Sequence, residues 1–99
     1  MKVSMKPSEV ESCFSHSYDD ARNTFKDLTA NMEYESFRYP ALGKNNELLT
    51  LDVAVQGDIN AKNILIISSG CHGVEGFCGS GAQIACLKSV EINHQLIEN

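Results

Sequence analysis

Ninety-nine residues, 42% of them hydrophobic, suffice for one small globular domain and exclude a two-domain chain. Thirteen acidic against eight basic residues leave a net charge of −5, the wrong sign for neutralising phosphate, so no nucleic-acid partner is expected. No run approaches the roughly 20 apolar residues of a membrane span, and the lysines near Met1 have no apolar run behind them, so a cytoplasmic protein without a membrane partner is expected.

Taken in chain order, the first signal is Ser17-Tyr18-Asp19-Asp20, a serine N-cap with an acid at the third helical position. Ala21, Phe25 and Leu28 then recur at helical spacing, which predicts a helix over residues 18–31, with Asn31 as a left-handed cap. Residues 35–39 alternate polar and apolar and read as a short strand closed by Pro40. Turn residues fill positions 43–46. Residues 49–56 alternate cleanly, with Leu49, Leu51, Val53 and Val55 on the face expected to be buried and Thr50, Asp52, Ala54 and Gln56 on the other.

After a break at Gly57-Asp58-Ile59-Asn60, residues 63–69 form a run apolar on both faces, the pattern of a central strand covered by helices on both sides. A glycine-studded turn follows, and residues 80–87 read as a helix with small residues where it meets a sheet. The predicted order is helix, strand, strand, strand, helix. A strand followed by a helix normally feeds another parallel strand, yet residues 91–99 are too few for one, so the chain is expected to stop partway through an α/β domain. Its unfinished sheet edge is expected to favour self-association. Cys13, Cys71, Cys78 and Cys86 include no Cys-x-x-Cys pair and come with no secretory signal, so reduced thiols are expected. Cys78 and Cys86, if on one helix, stand about 12 Å apart along its axis, too far for a disulfide.

The chemistry is concentrated in Ser69-Gly70-Cys71-His72-Gly73-Val74-Glu75-Gly76-Phe77. Turns at the carboxyl ends of strands are where open α/β sheets place ligand sites. His72 offers an imidazole nitrogen and Glu75 a carboxylate oxygen, both zinc ligands, although a catalytic zinc takes three protein ligands and one open position. A phosphate loop fits poorly, because no Gly-Lys-Ser/Thr ending is present and Glu75 would repel the anion. A nucleophile fits less well still: Cys71 and His72 are sequence neighbours that point apart on an extended chain, and Ser80 lacks a Gly-x-Ser-x-Gly elbow. The plain alternative is a buried His72 bonded to backbone, with Glu75 capping the next helix. His16 and His94 read as solvent-facing, and Asp19, Asp20, Glu33 and Glu35 as a solvated face.

Phe14-Ser15-His16-Ser17-Tyr18-Asp19-Asp20-Ala21-Arg22, Leu51-Asp52-Val53-Ala54 and the 69–77 motif, with Gly79-Ser80 and Gln83, form an ordered set. It resembles the N-terminal part of a bacterial family of unknown function allied to the zinc carboxypeptidases and to the aspartoacylase and succinylglutamate desuccinylase amidohydrolases. The resemblance spans residues 14–87. It implies a three-layer α/β/α domain with a mixed sheet, of which residues 1–99 are the opening portion. It implies zinc as cofactor, His72 and Glu75 as two of its three protein ligands, and hydrolysis of peptide or N-acyl amino-acid amide bonds. In such enzymes a later histidine completes the site, a later glutamate acts on the zinc-bound water, and later arginine and asparagine residues hold the substrate carboxylate. None has a counterpart here, so the 99 residues alone are expected to be inactive. Cys71 stands where a threonine is the family's expected residue. A small metal-binding or protein-interaction module is the alternative.

Overall fold

The computed structural model describes residues 5–71 and 73–89. Five elements follow in order: α1 (Pro7–Glu11), α2 (Tyr18–Leu28), β1 (Glu33–Leu42), β2 (Leu48–Val55) and α3 (Gly76–Lys88). The result is a mixed α/β chain whose sheet, among the described residues, consists of two antiparallel strands. A three-layer domain would need more strands than these.

Helix α2 begins as its sequence requires. Ser17 is extended at the N-cap and its hydroxyl accepts from the Asp20 amide at 3.1 Å, while Asp19 and Asp20 place negative charge in the first turn. The helix stops earlier than the predicted Asn31. Its C-cap is Thr29, a buried residue whose amide and hydroxyl both donate back to the Phe25 carbonyl, at 3.1 and 2.8 Å. Helix α1, which the sequence reading did not anticipate, is one short turn opened by Pro7.

The hairpin pairs Glu33 with Val55 and Phe37 with Leu51, and reaches Leu42 opposite Leu48. Gly43 donates to the Glu47 carbonyl at 2.8 Å and Asn46 takes a left-handed φ of 64°, so the turn residues act as predicted. Pro40 does not end the first strand, which runs on to Leu42. The ladder is instead irregular between Arg38 and Leu42, where Pro40 lacks the amide a regular ladder needs.

The packed side of β2 is the reverse of the expected one. Leu51 and Val55 are 66% and 59% exposed, while Thr50, Asp52 and Ala54 are half-buried on the side where α2 sends Tyr18 and Arg22. The alternation was legible, but the inward face was set by polar partners on α2. Residues 63–69, expected as a central strand, form no ladder with any described strand. Ile64 and Ile66 are 82% and 84% exposed.

The small core lies where the α1–α2 junction and the end of α2 meet α3. Cys13, Thr29, Gly81 and Ile84 are buried there. Gly81 has a steric reason: a Cβ at that position would clash with the Phe14 ring. Helix α3 starts before the predicted position 80, at Gly76, and carries both Cys78 and Cys86. All four cysteines are free thiols. Among the described residues, no helix is long and apolar enough to cross a membrane.

Candidate functional site

The candidate turn joins the exposed apolar run to α3. Gly70 has φ +72°, in the left-handed region that favours glycine. A Cβ on Gly76 would stand 3.3 Å from the Gly70 Cα, so the two ends of the turn approach at backbone distance. The exit is wound tightly: the Gly76, Phe77 and Cys78 amides donate to the carbonyls of Gly73, Val74 and Glu75 at 2.8, 3.2 and 3.0 Å. These three-residue steps feed directly into α3.

Glu75 occupies the N-cap position of α3 but has helical backbone angles, and its side chain accepts no capping hydrogen bond. The capping role offered by the plain alternative is therefore not taken up. The carboxylate is exposed at the turn and engages no hydrogen bond or ion pair among the described residues. An exposed carboxylate of this kind is chemically able to serve as one oxygen ligand of a cation. His72 and His94 lie outside the described residues. Cys71 and Cys78 are exposed beside the turn, and His16 is exposed as expected. Among the described residues, no group of three or more His, Cys, Asp or Glu side chains gathers into a metal-sized cluster.

A second constellation escaped the sequence reading. Arg22 Nε donates to Asp52 Oδ2 at 2.9 Å and to Thr50 Oγ1 at 2.7 Å. Asp52 also accepts from Ser36 at 2.6 Å and from the Thr50 hydroxyl at 3.0 Å. Burial works to raise the Asp52 pKa, but hydrogen bonds from Ser36, Tyr34, Arg22 and Thr50 outweigh it and hold the carboxyl below its ordinary value. Burial, and then the bond to Asp52, push the Tyr34 phenol upward. Tyr18 completes the clasp: its hydroxyl accepts from the Thr50 amide at 2.8 Å and lies 3.3 Å from the Thr50 carbonyl. That phenol thereby occupies one station on the outer edge of β2. The available signal was Tyr18 and Arg22 four residues apart on one helix face, opposite the polar positions of an alternating strand. Both oxygens of Asp52 accept within the clasp, which gives it a structural role.

The geometry defines a mixed α/β chain in which a clasped hairpin accompanies a glycine-rich turn that opens a helix. The chain belongs to the family of proteins of unknown function DUF2817, whose model matches residues 14–98. No curated protein matches the chain, and no solved structure does. The match contains all three motifs. The fold joins the first to the second through Arg22 and Asp52, and sets Phe14 of the first against Gly81 of α3.

Proposed function

We propose that His72 and Glu75 supply two of the protein ligands of a zinc-dependent amidohydrolase or carboxypeptidase-like site, and that this chain forms the corresponding part of a three-layer α/β/α domain. The observation that carries the reading is Glu75, an exposed carboxylate at a glycine turn that neither caps its helix nor enters an ion pair. Support also comes from the Arg22–Asp52 ion pair, which joins two of the motifs on which the family resemblance rests.

When bound, zinc would polarise an amide carbonyl and lower the pKa of a coordinated water. The chain's own part is positional. Glu75 would offer an oxygen from the N-cap position of α3 and His72 a nitrogen from three residues earlier. Glycines at 70, 73 and 76 keep Cβ atoms away from the approach. Two ligands are one fewer than catalytic zinc sites take, so hydrolysis of a peptide or N-acyl amino-acid amide is assigned to a completed site and not to this pair.

The test is zinc stoichiometry after equilibrium dialysis, on the wild type, His72→Ala and Glu75→Gln. Retention by the wild type with loss in both variants is expected. Equal zinc in all three would overturn the assignment.

One observation favours a second reading as an interaction module. Phe37, Leu51, Val53 and Val55 are exposed apolar residues on one face of the hairpin, with Glu35 and Glu33 beside them opposite Val53 and Val55. Because Tyr18 already occupies the β2 edge at Thr50, self-association in this reading would use that face more readily than the open edge.

A further inference from the structure

Gln83 is a family-motif residue that neither the clasp nor the ligand pair accounts for. It projects from the middle of α3 to the segment entering the turn. Its Nε2 donates to the Ile67 carbonyl at 3.1 Å, and its Oε1 accepts from the Ser69 hydroxyl at 2.9 Å. A carboxamide donates and accepts at once, and can therefore hold one backbone and one side-chain group of the same segment. The contact continues toward the helix start. A Cβ on Gly79 would lie 3.5 Å from the Ser69 Cβ, and Gly76 closes on Gly70. Residues 67–70 are thus aligned along α3 from Gln83 to Gly76. The turn has its entry fixed by Gln83 and its exit fixed by the amides of Gly76, Phe77 and Cys78.

Hydrogen bonds count for more here than elsewhere in the fold, because residues 63–69 have no ladder to any described strand. Without the amide, little except glycine packing would hold this segment against the helix.

We infer that Gln83 is a positioning residue for Glu75: by holding Ile67 and Ser69 against α3 it fixes where the turn enters, and hence where the Glu75 carboxylate stands. This rests on the reading of Glu75 as a metal ligand, and Gln83 itself touches no metal.

The test compares wild type with Gln83→Met, which keeps the length but lacks the amide, and with Gln83→Glu, which keeps only the acceptor for Ser69. Two readouts are taken: amide hydrogen exchange in the metal-free protein, and Co2+ binding followed by d–d absorption. Gln83→Met should speed exchange at Gly76, Phe77 and Cys78 about tenfold and weaken Co2+ binding about tenfold, the scale for groups that orient a ligand. Gln83→Glu should fall between. Exchange within twofold of wild type at those amides, or acceleration that is equal across α2, would overturn the inference. If wild type binds no Co2+ but Gln83→Met still loosens the turn, the metal reading fails and the positioning role stands.

Discussion

Replacing Asp52 by Asn removes one charge from the clasp while keeping its shape. The Asp52 side chain is 9% exposed and Arg22 19%, so solvent screens the pair weakly. Oδ2 accepts from Arg22 and Thr50, and Oδ1 from Ser36. An asparagine can turn its oxygen toward Arg22 and Thr50, but its NH2 then faces a serine hydroxyl that had been donating. Hydrogen bonds to charged groups are worth about 1.5–3 kcal/mol against about 0.5–1.5 for neutral ones, so the lost charge assistance amounts to roughly 1–1.5 kcal/mol for each bond retained. The pH dependence follows from the depressed folded-state pKa of Asp52. Its contribution is full above the unfolded carboxylate value, about 3.9, and disappears as pH falls through the lower folded value. Urea unfolding followed by far-ultraviolet circular dichroism should therefore show wild type losing stability below about pH 4 more steeply than Asp52→Asn. Equal stability of the two at pH 7, within about 0.5 kcal/mol, together with parallel acid profiles would refute the clasp as a stabilising unit.

Gly81→Ala should destabilise wild type by about 1 kcal/mol, since overpacking against the Phe14 ring outweighs the helix-propensity gain of alanine; in a Phe14→Ala background the same change should stabilise, and a double-mutant cycle by thermal melting reads the sign. Leu51→Lys, on the open hairpin face, should leave stability within about 0.5 kcal/mol and reduce concentration-dependent association seen by sedimentation. A loss of several kcal/mol in that variant would mean the face is packed.

Local signals carried most of the secondary structure. Ser17, the turn around Asn46 and the alternation of β2 each act over a few residues, and each formed as its chemistry requires. What failed depends on distant partners. The side on which β2 packs was decided by Arg22, 30 positions away, which prefers Asp52 to any apolar neighbour. Residues 63–69 have strand composition, but a strand exists only when another chain segment pairs with it. For the candidate site, the turn and the helix after it were legible from glycine spacing. That Glu75 would decline the capping role was not, because the same residue in the same place suits either use.

The clasp also gives the join between α2 and the hairpin an unusual thermal character. Separating them would uncover arginine, aspartate, serine and threonine groups, whereas most domain interiors release chiefly hydrocarbon. Hydration of polar surface lowers heat capacity where that of apolar surface raises it. This join should therefore contribute little to the curvature of stability with temperature and tolerate cooling well. Its vulnerability lies in acid, which protonates Asp52, while salt reaches so little-exposed a pair only weakly, so pH more than temperature would govern whether helix and hairpin stay together.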